Sequence, residues 1–223
     1  MNGGGLANDG KVIYDSLGIA ARGLACARGG RRVFEDIDFA VAPGGTLLLH
    51  GPNGSGKTSL LRLVAGFIDP VEGRLTWNDR PFEDENEDAD GTPTRIAYVG
   101  HLDAVKRALS AAENLVFWAG LHGGGGIAVN AALDRLGIGQ LARVPAQLLS
   151  AGQRRRLGLA RLLVAPAPLW LLDEPTLTLD EASVVIVEAL IAEHRAAGGM
   201  AIVATHAGMT VPGAGVLTLG AAS

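Results

Sequence analysis

Residues 51–58 read Gly-Pro-Asn-Gly-Ser-Gly-Lys-Thr, and this spacing of glycine, lysine and threonine is that of a loop built to hold phosphate. Glycines let successive backbone N–H groups turn inward around an anion, and a helix starting near Lys57 adds the positive end of its dipole. Lys57 can neutralise the outer phosphate oxygens, and Thr58 offers a hydroxyl to Mg²⁺. The candidate nucleotide-binding residues are therefore Gly51, Pro52, Asn53, Gly54, Ser55, Gly56, Lys57, Thr58 and Ser59, with ATP and Mg²⁺ as ligands. Three lysines stand against sixteen arginines in the chain, so a lysine at the one place that suits a compact ammonium is informative. The competing reading is a glycine-rich turn before an ordinary helix.

Residues 169–174, Leu-Trp-Leu-Leu-Asp-Glu, form an apolar run that ends in two acids. The carboxyl ends of parallel strands are where an α/β sheet presents ligand-binding groups. Asp173 is placed to hold Mg²⁺, and Glu174 to orient, or take a proton from, an attacking water. Taken alone, such acids also cap helices. Leu149, Ser150, Ala151, Gly152 and Gln153 precede a helix whose first N–H groups are free, a second phosphate-binding surface; Ser150 taken alone is also a plain N-cap. The phosphate loop and the acidic strand end together describe an ATPase.

These residues need elements to position them. Residues 18–27 and 32–41 are strand-like and joined by a turn through Gly29 and Gly30; 46–50 is a short apolar strand entering the phosphate loop, and 58–64 a helix. Residues 96–99 resume a strand, and 110–121 form a helix with Ser110 as N-cap and Glu113 completing a capping box. Four glycines at 123–126 end it. Further helices are expected at 130–136, 151–164 and 181–196, and buried strands at 169–172 and 201–204. The acidic stretch 83–90 has no hydrophobic periodicity and is expected to be a solvated loop.

The 223 residues suffice for one large α/β domain with an inserted lobe. Hydrophobic residues are 48% of the chain and aromatics only 4%, so the core must be built from Leu, Val, Ile and Ala. A net charge of -4 gives no basic footprint for nucleic acid, which is not an expected partner. Cys26, the single cysteine, can form neither an internal disulfide nor a multi-cysteine metal site. No uncharged apolar run reaches the roughly 18 residues of a membrane span. The polar, glycine-rich start lacks the pattern of a secretory signal and is expected to be a disordered tail over 1–17.

The order of motifs, GPNGSGKT, then LSAGQ, then LLDEP directly after one helix, then a strand ending in Thr205 and His206, resembles that of the ATP-binding cassette family over nearly the whole chain. The resemblance implies an α/β P-loop fold of ABC type: a mostly parallel sheet core with an antiparallel β flap and an inserted α-helical subdomain. One nucleotide-binding domain is then expected over 18–220, its core at 18–99 and 165–220 and its helical subdomain at 100–164. It implies a homodimer of cassettes in which Ser150 and Gly152 of one chain meet the γ-phosphate held by the other. It implies that Asp180 signals across the dimer, that His206 contacts the γ-phosphate, and that Lys57, Glu174 and His206 act in catalysis. Membrane permease subunits come from other chains. A histidine at a strand end is otherwise ordinarily structural.

Two places depart from the family pattern. His101 stands where the family carries a glutamine that touches Mg²⁺ and the membrane partner, which makes it a candidate metal contact. Arg28 aligns with the aromatic that stacks on adenine, with Phe34 as a substitute. The run Tyr98, Val99, Gly100, His101, then Lys106 and Glu113-Asn114-Leu115, and the segment LLSAGQRRRLGLARLLVAPAPLWLLDEPTLTLD look like the haem-exporter ATPases of bacterial cytochrome c maturation. That family continues with a Phe-Thr-Ala-Leu-Asp type segment where this chain has Thr176 to Asp180 as TLTLD. This resemblance implies a protein peripheral to the cytoplasmic face of the bacterial inner membrane that powers haem export or delivery. No histidine sits in a Cys-x-x-Cys-His setting, so the haem assignment rests on resemblance alone. The alternatives are the ATPase of a small-molecule or drug exporter, a non-transport cassette, and a module that holds ATP without hydrolysing it, against which Glu174 speaks.

Overall fold

Short runs in which every residue is apolar can bury both strand faces only in a parallel sheet covered on both sides. The computed structural model describes residues 18–78, 80–81, 96–123, 125–206 and 209–220. The expected tail at 1–17 and the acidic stretch 83–90 lie outside the described residues. In chain order the strands are β1 (Ile19–Arg28), β2 (Arg31–Val41), β3 (Thr46–His50), β4 (Glu72–Trp77), β5 (Arg80–Pro81), β6 (Ile96–Val99), β7 (Leu169–Asp173), β8 (Met200–Ala204) and β9 (Gly215–Thr218). The α-helices are α1 (Lys57–Val64), α2 (Ala111–Leu121), α3 (Val129–Arg135), α4 (Ala151–Val164) and α5 (Glu181–Ala196).

Among the described residues there is a parallel sheet in the order β6-β7-β8-β3-β9 and an antiparallel sheet in the order β2-β1-β4-β5. The reversal between β1 and β2 needs Gly29 and Gly30, both at positive φ (56° and 76°). Side chains alternate across the parallel sheet. Leu48, Val99, Leu172 and Val203 face one core with α2, α4 and α5; Leu47, Leu49, Leu171 and Ile202 face another with α1 and the antiparallel sheet. The helix after the phosphate loop and the helix that begins within residues 149–153 therefore pack on opposite faces.

Between β6 and β7 the chain forms α2, α3 and α4, with α2 and α3 packed on α4. The capping box at Ser110 is made: its hydroxyl accepts from the Glu113 N–H at 3.3 Å, and Glu113 Oε2 accepts from the Ser110 N–H at 2.7 Å. The buried Asn114 amide ties the preceding loop to α2. Its Oδ1 accepts from Lys106 N (2.8 Å), and its Nδ2 donates to the carbonyls of Lys106, Leu109 and Ser110. Expected elements and observed ones agree to within a residue or so. Among the described residues the additions are β4, β5 and β9, which have few buried positions, and short 3-10 helices at Gly139–Leu141 and Ala146–Leu148 in the stretch expected to be a linker.

The His194 ring stacks on Trp170 with centroids 3.9 Å apart and planes 8° from parallel, and its Nε2 lies 3.1 Å from the Met200 carbonyl. Burial pushes its pKa down to about 4, partly opposed by hydrogen bonds with the backbone of Met200 and Pro168. Between that value and the unfolded 6.5, the unfolded chain binds a proton that the folded chain does not. Stability from this group is thus complete above the unfolded pKa and lost as pH falls toward the folded one. Acidifying from about pH 7 to about pH 5 is expected to remove on the order of 2 kcal/mol through His194. His194→Phe, which keeps the stack, should flatten the melting temperature over that range; an unchanged pH dependence would remove His194 as its source.

Candidate active site

The order of strands decides which chain segments meet. β8 lies between β7 and β3, so the carboxyl ends of these three strands adjoin, as in the crevice where open α/β sheets hold ligands. After β3 the chain enters the loop 51–56, in which Gly51, Gly54 and Gly56 have φ of 138°, 83° and 102°. A Cβ on Gly51 would lie 2.3 Å from the Leu219 carbonyl oxygen, and one on Gly56 2.8 Å from Val33 Cγ1, so sterics as well as torsion exclude side chains there. Gly56 starts α1 with no side-chain cap and no acid in the first turn, which leaves the positive end of the helix to an anion.

Lys57 is 6% exposed, and its Nζ bends back to the carbonyls of Gly51 (2.7 Å) and Pro52 (3.1 Å). The Thr58 hydroxyl donates to both carboxylate oxygens of Asp173, at 3.1 and 3.0 Å, across a separation of 115 residues. Asp173 is 2% exposed and ends β7. Its charge, after burial, helps raise the pKa of Tyr98. Glu174 follows at φ 49°, a backbone region costly for a residue with a Cβ. Its Oε1 lies 3.1 Å from His206 Nε2, close enough for charge pairing but not aligned as a hydrogen bond. The hydroxyls of Ser55 and Thr205 are buried without a hydrogen-bond partner among the described residues.

This set fits Mg-nucleotide. A hydroxyl and a carboxylate supply the hard oxygens that Mg²⁺ takes, and such ions keep their other positions for phosphate and water. Among the described residues no group of three or more His, Cys, Asp or Glu forms a metal cage of its own. The buried ammonium, the uncapped helix start and the unpartnered Ser55 hydroxyl all favour an anion at the loop.

Of the sequence-derived candidates, the structure brings together the 51–59 loop, Asp173, Glu174 and His206. Residues 149–153 make no hydrogen bond to them among the described residues. Leu149 is buried; Ser150 and Gln153 form a capping box at the start of α4, with Ser150 N donating to Gln153 Oε1 at 2.8 Å and Gln153 N to Ser150 Oγ at 3.2 Å. Ser150 and Ala151 are exposed, and a Cβ on Gly152 would lie 2.9 Å from the Thr178 carbonyl oxygen. Asp180 caps α5 by accepting from Ser183 N at 2.9 Å, and its pKa is lowered by hydrogen bonds from Ser183, side chain first and then backbone. His101 is exposed beyond β6, and Arg28 is exposed at the end of β1. Phe34 is buried, its ring against Gly56. Arg155, which lies in the segment that carries the resemblance but has no role implied by it, bonds to the backbone of Asp173 and Glu174. In the sequence it is one of three consecutive arginines and resembles a solvated helix face.

The ABC transporter family profile matches residues 34–177. The cytochrome c biogenesis ATP-binding export protein CcmA of Paramagnetospirillum magneticum is 54% identical over 204 residues, covering 90% of this chain and 93% of its own. The protein of the same name from Paracoccus denitrificans is 46% identical, with 91% and 89% covered. Among solved structures, a Pyrococcus furiosus protein described as an ATP-binding protein of the ABC transporters superposes with a TM-score of 0.77 at 25% identity, covering 91% of this chain and 97% of its own. The ATP-binding subunit of another ABC transporter gives a TM-score of 0.73 at 22% identity, with 84% and 79% covered, a likeness of fold.

Proposed function

The chain belongs to the ABC transporter family, alongside the cytochrome c biogenesis ATP-binding export proteins, and on that premise we propose that it is the ATP-hydrolysing subunit that powers haem export or delivery in cytochrome c biogenesis. The observation that carries the enzymatic part is the convergence of Lys57, Thr58 with Asp173, and Glu174 with His206 at adjoining strand ends.

In this reading one nucleotide-binding domain spans 18–220, with its helical part at 100–164. The phosphates of ATP lie in the 51–59 loop. Lys57 exchanges its carbonyl partners for phosphate oxygens. Thr58 and Asp173 would hold Mg²⁺, which when bound would supply charge neutralisation for the phosphates. Glu174 orients the water that attacks the γ-phosphorus and takes its proton; the bond to the β-phosphate oxygen breaks, giving ADP and inorganic phosphate. His206 holds Glu174 and reaches the γ-phosphate. A second copy of the chain closes each site with residues 149–153. Membrane subunits supplied by other chains receive the motion, with this chain at the cytoplasmic face of the inner membrane. No helix among the described residues is long and apolar enough to cross a membrane.

Lys57→Ala is expected to lower Mg-ATP turnover by about a hundredfold, because the γ-phosphate loses its main compensating charge. Unchanged turnover would overturn the ATPase reading. In cells lacking their own cytochrome c biogenesis ATP-binding protein, the wild-type chain should restore c-type cytochromes and Lys57→Ala should not. A chain that hydrolyses ATP but restores none would overturn the cargo assignment alone.

A further inference from the structure

We propose that Arg155 is a positioning residue that sets the orientation of Glu174 and makes it depend on where α4 stands; this rests on the ATPase reading above. Arg155 lies one and a half turns into α4 from Ser150 and is 4% exposed. A guanidinium has five N–H donors in a rigid plane, and burying it is costly unless they are met. Here each one is. Nε donates to the Pro175 carbonyl at 3.2 Å. Nη1 donates to the Gly100 carbonyl at 2.7 Å and to Asp103 Oδ1 at 3.1 Å. Nη2 donates to the carbonyls of Asp173 at 2.6 Å and Glu174 at 2.8 Å.

The last two acceptors are the carbonyls on either side of the Glu174 Cα. Holding both peptide planes holds the φ and ψ between them, and Glu174 is the residue kept at φ 49°. The Glu174 side chain does not take part, so its carboxylate stays free to face His206. The remaining acceptors belong to the loop after β6, where Gly100 and Asp103 stand. One side chain thus ties the helix that begins at Ser150, the loop beyond β6 and the backbone of the general base. Because the guanidinium is planar and all its donors are engaged, a shift of α4 cannot be absorbed by rotating it. The shift reaches Glu174. In a dimer closed by residues 149–153, this link carries the seating of α4 on the partner's nucleotide to the base of its own chain. A lysine cannot replace it, since three donors on a flexible stem cannot hold three consecutive carbonyls and a second loop.

The test is steady-state ATP hydrolysis by Arg155→Lys and Arg155→Ala in the full chain, with Lys57→Ala measured beside them. Displacing the base without touching the phosphate loop should lower kcat of Arg155→Lys by about thirtyfold to a hundredfold and leave KM for ATP within about twofold. Adding ethylguanidinium should restore about tenfold of the kcat lost in Arg155→Ala. Wild-type kcat in Arg155→Lys, or kcat falling only as far as the folded fraction falls, would overturn the proposal. Should both variants fail to fold, Asp103→Ala, which removes one of the five acceptors, is expected to lower kcat about three- to tenfold at constant KM. Wild-type kcat there would overturn it. Normal turnover by Lys57→Ala sinks the ATPase reading itself, whereas a dead Lys57→Ala beside a normal Arg155→Lys sinks only the role of Arg155.

Discussion

Glu174→Gln is expected to lower ATP turnover by about a thousandfold while leaving nucleotide affinity within about twofold. The backbone of residue 174 is held without its side chain: its N–H donates to the Ala204 carbonyl at 2.9 Å, and its carbonyl accepts from Leu177 N and from Arg155. Glutamine therefore inherits the same position and nearly the same shape. It loses the charge that faces His206 at 3.1 Å and that, in the proposed reaction, takes the proton from water. The phosphate loop is untouched, so ATP still binds. If two chains close around it, the closed form accumulates, and ATP with Mg²⁺ should shift the variant from monomer to dimer on a sizing column. Hydrolysis at the wild-type rate would show that Glu174 is not the base.

A second large effect is expected from Ser150→Asp, and it separates a composite site from a self-sufficient one. Gly152 is the poorer position to change, because a Cβ there meets the Thr178 carbonyl oxygen of its own chain at 2.9 Å, and any loss would mix two causes. Ser150 is exposed and caps α4, and aspartate caps a helix as well as serine does. The substitution thus preserves the helix while setting a carboxylate where, in the proposed dimer, the partner's γ-phosphate is met. Like charges brought together cost several kcal/mol, so turnover should fall by about a thousandfold. Mixed with Lys57→Ala chains, which are also inactive, the variant should recover about a quarter of wild-type activity, since half of the random dimers carry one intact site of two. Recovery requires that each site fire alone. Full activity of Ser150→Asp at dilutions where no dimer exists would remove the two-chain mechanism.

Much of this site could be read from residue order because its chemistry is local. The phosphate loop is a backbone cradle, and eight adjacent residues carry the glycines, the lysine and the threonine that make it. Capping boxes at Ser110 and Ser150 are local in the same sense, three residues wide. The apolar runs of β3, β7 and β8 declare themselves because strands buried on both faces leave no polar position to confuse the pattern. β4 and β9 escape for the opposite reason, having few buried positions.

What only the tertiary structure decided is which distant groups touch. The Thr58 hydroxyl and the Asp173 carboxylate are brought within 3.1 Å by the insertion of β8 between β7 and β3, and strand order is not a property of any one segment. The same insertion sets His206 beside Glu174. Arg155 shows the limit most plainly. Residues 154, 155 and 156 are all arginine, and each helical residue turns about 100° from the last, so the three point in different directions. Composition gives no reason to choose the middle one. The choice is made by acceptors on two other segments, the carbonyls beyond β6 and β7, which only the assembled sheet places within reach of one buried guanidinium.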